Sequence, residues 1–255
     1  MVSISRLAVL EHGEPAVRIL AAIGNLSRRS DSDLTAVLVH DGTAADPWFA
    51  READEVLGVA ASDAHTLVAA LVKAGIDAVW PAAWDGIDVA DLAHECEAAG
   101  LVFVGPSSTV LRRITDPAVL AATVAGTPNF AMTPANADVT GVRRVDVDVL
   151  GDAHGTMWAF PPVETTVSTG GALVLAESPA AFLDGEREDA LREVARGLLS
   201  SFGYVGAGVV TFLIRSGSDE IWIDHVDPLA RPTHALAEES TGASFVSLRL
   251  LVAQG

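Results

Sequence analysis

The densest group of chemically useful side chains is Asp224, His225 and Asp227, followed by His234. Two carboxylates and two imidazoles make an adequate donor set for Zn²⁺; a strand end running into a loop accounts for the same residues without a metal. Ser168-Thr169-Gly170-Gly171 offers backbone N–H groups that can cradle an anion, but no lysine accompanies it. Serine, histidine and aspartate are all present, yet the G-x-S-x-G turn that presents a nucleophilic serine at the end of a strand is absent. Cys96, the single cysteine, falls in an apolar-periodic stretch with Leu92 and Leu101. It therefore reads as a small buried hydrophobe, and no disulfide forms within one chain. Lys73 is the only lysine; every other fixed cation is arginine. A high-GC genome produces that bias, but the bias does not supply a lysine where chemistry needs one.

The elements that position these residues fall into two halves. With 255 residues, half of them apolar, the chain buries a core without staples. Its formal net charge of -18, with no basic run, argues against nucleic acid and anionic membrane surfaces as partners. The opening residues hold too short an apolar run for a signal peptide, and no stretch is long enough to span a bilayer, so a cytoplasmic location is expected. Strands at 6–11, 34–40, 78–80 and 101–104 alternate with helices after Pro15, at 64–73 and at 89–99, a pattern that implies a parallel sheet. Asp116 and Pro117 open a further helix as N-cap and first helical residue.

Residues 127–142, rich in Pro, Asn, Thr and Ala, read as a linker between a first domain (1–126) and a second (143–255). In the second, 145–150 alternates Val and Asp as a half-exposed strand, and 151–155 forms a hairpin turn back to 157–160. Strands at 173–175, 209–214 and 220–224 and helices at 186–202 and 241–253 complete an α+β domain on an antiparallel sheet.

Several blocks carry a family resemblance. Glu11-His12-Gly13-Glu14 followed by Ala16-Val17-Arg18-Ile19 resembles the strand, N-R-G-E and A-V-R-I opening of biotin carboxylases. Residues 51–55 (READE), 75–80 (GIDAVW) and 101–107 (LVFVGPS) resemble that family's A-D-E, G-A-D-A-I and L-x-F-I-G-P-S elements. Beyond the linker, 143–152 (RRVDVDVLGD) is similar to R-H-x-E-x-Q-V-L-G-D and 202–208 (FGYVGAG) to G-Y-x-G-A-G; Thr241-Gly242 with 248–255 is similar to the element that ends in Q-L-x-x-A-x-G. Trp80, Trp84 and Trp158 are most like the biotin carboxylase part of large actinobacterial acyl-CoA carboxylases. The resemblance implies an α/β fold: a parallel-sheet biotin carboxylase N-terminal (pre-ATP-grasp) domain, then half of an ATP-grasp core.

The resemblance also implies what is missing. Family members carboxylate biotin with ATP and bicarbonate beneath a glycine-rich lid, which would fall between Ala131 and Arg143, where a short connection stands instead. Phosphoryl transfer depends on cations and Mg²⁺ to neutralise charge on the γ-phosphate oxygens. By alignment to the family's motifs, the first metal carboxylate is Thr211, the second Asp224, and the neighbouring asparagine Val226. The biotin and bicarbonate motif places Pro228, Ala230 and Pro232 at its arginine, glutamine and general-base glutamate. Thr169 and Gly170 stand at two further arginines, Leu173 at a lysine, and Pro117 at another lysine; the stretch carrying the last anion-binding arginine is not found.

These positions predict no catalytic, cofactor-binding or metal-binding residues and no cofactor. The expected protein is a non-catalytic pseudoenzyme of the biotin carboxylase family, a structural or regulatory subunit of an acyl-CoA carboxylase-type complex. Its expected partners are carboxylase subunits or further copies of itself, in a homo- or hetero-oligomer. The alternative is a divergent enzyme, or a ligand- or metal-binding protein, that reuses the vacated cleft through Asp224, His225, Asp227 and His234. The sequence contains no M-K-M biotin attachment site.

Overall fold

The computed structural model describes all residues except 1, 31–32, 43–46, 129, 170–171, 219 and 230–233. It divides into two units, one formed by Met1–Leu111 with Ser244–Gly255 and the other by Arg112–Ala243. The first unit contains β1 (Arg6–Val9), α1 (Gly13–Ser30), β2 (Thr35–His40), β3 (Glu55–Gly58), α2 (Ala64–Lys73), β4 (Ala78–Trp80), α3 (Val89–Ala99) and β5 (Val102–Phe103). Its five strands are all parallel, in the order β3-β2-β1-β4-β5.

Side-chain alternation along β1 splits this unit's core into two layers. Leu7 and Val9 pack with Ile19, Leu20 and Ile23 of α1. Ala8 and Leu10 pack on the opposite face with Leu67, Val68 and Leu71 of α2 and with Leu92 and Cys96 of α3. Asp63 and Asp88 cap α2 and α3 by accepting backbone N–H groups, and Gly100 ends α3 in the left-handed region at φ 73°.

The second unit starts within α4 (Ser108–Thr115) and continues through α5 (Pro117–Val124), β6 (Ala131–Met132), β7 (Val142–Gly151), β8 (Met157–Ala159), β9 (Val163–Thr169), β10 (Ala172–Glu177), α6 (Gly185–Ser201), β11 (Gly206–Arg215), β12 (Ile221–Asp227) and α7 (His234–Thr241). Asp116 accepts the N–H groups of Ala118 and Val119 with Pro117 at the first turn, as the sequence predicts. The sheet runs β10-β9-β7-β11-β12-β6, with β8 also paired to β7. It is antiparallel except where β6 joins β12 in parallel. The last helix, α8 (Phe245–Gln254), returns to the first unit, where Val246 and Leu250 join the α1 layer.

Three readings of the sequence are altered. Residues 127–142 do not form only a linker, because Ala131 and Met132 pair with Trp222 and Ile223. The division lies at 111/112 rather than 126, and α5 belongs to the second unit. Strand β7 is not half exposed: from Val145 to Gly151 every residue is buried, both aspartates included.

Candidate functional site

The polar centre of the second unit lies on one face of β7, β11 and β12. Alternation puts Val145, Val147 and Val149 on one side of β7, and Arg144, Asp146 and Asp148 on the other. The ladder sets Asp146 beside Thr211, and Thr211 beside His225. A register shift between Thr211 and Phe212 leaves Asp224 as an extra residue on β12, a bulge that re-aims the side chains around it.

Hydrogen bonds link these groups across the three strands. The Thr211 hydroxyl, fully buried, donates to Asp146 Oδ1 at 2.7 Å. Arg144 Nε lies 3.8 Å from the same oxygen, and its guanidinium is 3.4 Å from His225 Nε2. His225 Nδ1 is 2.9 Å from Asp224 Oδ2. That hydrogen bond from His225 holds the Asp224 carboxyl below the usual aspartate range, against partial desolvation, with Arg144 helping through its charge. Further along the same face of β7, Asp148 Oδ1 lies 2.8 Å from His234 Nε2 at the start of α7, and both side chains are almost wholly buried.

Tyr204 organises the edge of this face. Its hydroxyl lies 3.0 Å from the carbonyl oxygens of both Ala207 and Pro228, so it ties the start of β11 to the end of β12. Gly208 is required beneath it, since a Cβ there would lie 2.8 Å from the Tyr204 hydroxyl. The F-G-Y-V-G-A-G run therefore has a packing explanation that stands apart from any ligand.

The residues that the resemblance sets at catalytic positions are scattered. Thr211, Asp224, Val226 and Pro228 lie on β11, on β12 or just past its end, and Val226 is buried. Pro117 is exposed at the first turn of α5, Thr169 is exposed at the end of β9, and Leu173 is exposed on β10. Gly170, Ala230 and Pro232 lie outside the described residues, as does part of the Ser168–Gly171 run. The four residues of the alternative metal set do not converge. Asp224 pairs with His225, His234 with Asp148, and Asp227 accepts the Leu229 N–H at 3.0 Å. Among the described residues no group of three His, Cys, Asp or Glu side chains is placed to hold a metal.

The two residues that the resemblance sets at metal-carboxylate positions, Thr211 and Asp224, do not fit Mg²⁺ as they stand. The Thr211 hydroxyl is turned to Asp146, and the Asp224 carboxylate is engaged by His225. Asp146, Asp148 and the His234 contact are the residues that strand periodicity overlooks. The one signal for them is Thr211 itself, a polar residue inside the otherwise apolar run 206–214 whose hydroxyl needs a buried partner. Arg143 and Arg144 are tied within the unit: Arg143 contacts Glu164 at 3.2 Å and stacks on Phe182 at 4.3 Å, and Arg144 lies 3.8 Å from Asp146.

Comparison with known proteins agrees with this architecture. Residues 3–111 match the family described as biotin carboxylase, N-terminal domain, and residues 110–255 match the carbamoyl-phosphate synthase L chain, ATP binding domain. Pyruvate carboxylase 1 of Caenorhabditis elegans is 24% identical over 325 aligned residues, covering 98% of this chain and 27% of that protein. The mitochondrial propionyl-CoA carboxylase alpha chain of Mus musculus is 31% identical over 113 residues, covering 44% of this chain and 16% of that one. The crystal structure of a biotin carboxylase–β-γ-ATP complex from Campylobacter jejuni superimposes with a TM-score of 0.86 at 18% identity, over 99% of this chain and 71% of that chain.

The chain thus spans about a quarter or less of the length of these two curated relatives. The 325-residue alignment exceeds the 255 residues available, so at least 70 of its positions (325 less 255) have no counterpart here. Two family matches that together run from residue 3 to residue 255, and one fold shared along the chain, lead to a single assignment: this protein belongs to the biotin carboxylase family of ATP-grasp proteins.

Proposed function

We propose that this chain is a non-catalytic member of its family, acting as a structural or regulatory subunit of a biotin-dependent carboxylase-type assembly. The observation that carries the proposal is Thr211: the family resemblance sets it at a metal-carboxylate position, and it is fully buried with its hydroxyl spent on Asp146. A polyphosphate with Mg²⁺ needs cations on its oxygens and one or two free carboxylates on the metal. In the polar face of the second unit Arg144 is shared between Asp146 and His225, and Asp224 is paired. The exposed Leu173 and Pro117 supply no charge at positions where the family resemblance implies lysines. The relatives are named as pyruvate carboxylase and as the alpha chain of propionyl-CoA carboxylase, which makes a carboxylase assembly the natural setting for the conserved scaffold.

The test is ATP turnover by the purified protein with Mg²⁺, bicarbonate and free biotin, together with affinity capture from its native host. The expected result is no bicarbonate-dependent ADP release and co-purification of a carboxyltransferase or a biotin carrier. Bicarbonate-driven ATP hydrolysis by the isolated chain would overturn the proposal. A rise in melting temperature with Mg-ATP, Zn²⁺ or an acyl-CoA would instead favour reuse of the cleft for binding.

A further inference from the structure

The strand ends of the first unit enclose a cavity that the polar face of the second unit does not involve. Residues that follow β1, β2 and β4 line it: His12, Asp41, Ala83, Trp84 and Asp85 surround about 290 Å³. The strand order β3-β2-β1-β4-β5 changes direction between β1 and β4. At such a switch the loops leaving the carboxyl ends of neighbouring strands diverge, and the crevice between them is where open parallel sheets bind small ligands. A cavity of this volume lies at the lower end of ligand pockets, so it suits a small molecule.

The walls of the cavity are held from behind. The Trp84 indole N–H donates to the Ala61 carbonyl at 3.2 Å, so the polar end of this buried ring is satisfied within the protein. A tight turn follows, in which the Ile87 N–H donates to the Trp84 carbonyl at 3.0 Å and Gly86 takes φ 78°, fixing the backbone at Asp85. After β2, the Gly42 N–H donates to Nδ1 of the buried His40 at 3.1 Å, which anchors the backbone beside Asp41. The His12 ring meets Phe49 edge to face and lies tilted against Trp84, with ring centres 6.0 and 5.9 Å away. Neither ring nitrogen of His12 and neither carboxylate oxygen of Asp85 bonds to a described residue, and both side chains are exposed.

The chemistry of the lining selects the ligand. Two carboxylates, with no lysine or arginine among the described lining residues, repel an anion and attract a cation. A bare metal ion is a poor match, because among the described residues no group of three His, Cys, Asp or Glu side chains is placed to hold one, and an indole offers a metal no ligand. An organic ammonium uses every part of the wall. The carboxylates meet its charge, the Trp84 ring takes its N-alkyl groups through cation–π attraction, and the His12 imidazole is left to bond a hydroxyl or similar group. The net charge of -18 raises the local concentration of such a ligand. We propose that this cavity binds a small organic ammonium ion, with its charge at Asp41 and Asp85 and its alkyl groups on Trp84. The site lies wholly in the first unit and does not depend on whether the protein is catalytic.

The test is titration of the full chain with choline and with its uncharged carbon isostere dimethylbutanol, followed by two-dimensional NMR of the amide and indole N–H groups. Choline, raised to tens of millimolar, should shift the Trp84 indole and the amides of residues 41–42 and 83–86 in one saturable step. Dimethylbutanol keeps the shape and the hydroxyl but lacks the charge, and it should bind about tenfold more weakly. Asp41→Asn and Asp85→Asn change exposed side chains, and the rest of each spectrum verifies the fold. Each should weaken choline about threefold, and the double variant about tenfold. No saturable shift at these resonances, shifts spread evenly over the acidic surface, equal binding of dimethylbutanol, or undiminished choline affinity in the double variant would each overturn the proposal.

Discussion

Replacing His234 with alanine should destabilise the second unit more than any other single change on its polar face. Asp148 is completely buried, and His234 Nε2, at 2.8 Å, is the one ion-pair partner found for its carboxylate among the described residues. Within the same residues no backbone N–H or hydroxyl donates to either Asp148 oxygen. Removing the imidazole leaves the buried Asp148 carboxylate with no partner among the described residues, a change that costs about 3–5 kcal/mol. Asp148→Asn keeps the shape and removes the charge, so its cost should be smaller, about 1–2 kcal/mol. The double variant His234→Leu with Asp148→Leu should lie well above the sum of the two singles, since a buried pair is often replaceable by apolar residues. Urea denaturation followed by Trp222 fluorescence in single-tryptophan backgrounds reads this unit; at about 1–3 kcal/mol per molar urea, His234→Ala should lower the midpoint by at least about 1 M. A loss under 1 kcal/mol for His234→Ala would refute the claim that this pair is desolvated and mutually dependent.

Other outcomes follow from the same geometry. Gly208→Ala drives a methyl to within 2.8 Å of the Tyr204 hydroxyl and should cost about 1–3 kcal/mol in the same denaturation assay, with Tyr204→Phe partly relieving it. The Cys96 thiol, pushed up to about 12 chiefly by burial, should resist iodoacetamide at pH 8 in the native protein and react once urea unfolds it. Because the Asp224 carboxyl is held low by His225, its stabilising contribution is complete above the unfolded value of about 3.9 and is lost as pH falls through the lower folded value. His225→Gln should raise the Asp224 titration seen by NMR and erase that acid-side dependence; an unchanged titration would show that the hydrogen bond is not its cause.

Much of the first unit is legible in the sequence, because its signals are local. Helices α2 and α3 fall on residues 64–73 and 89–99, where apolar periodicity and an Asp cap agree, and strand β4 falls on the apolar residues 78–80. Strand β3 is harder to see, since Glu55 to Gly58 is mostly exposed and carries no alternation. The short β6 is hidden for a different reason: two residues have no period, and its partner Trp222 lies far along the chain.

Sequence alone determines the chemical inventory: one lysine, a threonine among the valines of 209–213, and leucine and proline where the family resemblance implies lysines. Those identities, and the alternation of strand and helix in the first unit, require only neighbours in the chain. Tertiary structure decides which polar groups are buried and with whom. Asp146 and Asp148 alternate with valines as solvent-facing residues would, yet Thr211 and His234, brought over from distant segments, cover them. The same holds for α8, whose Arg249 guanidinium donates to the Val104 carbonyl at 2.9 Å and lies 3.9 Å from the centre of the Trp80 ring, fastening the last helix to the first unit. Burial depends on what packs over both faces of an element, and that is set by contacts between residues far apart in the chain, which no local period encodes.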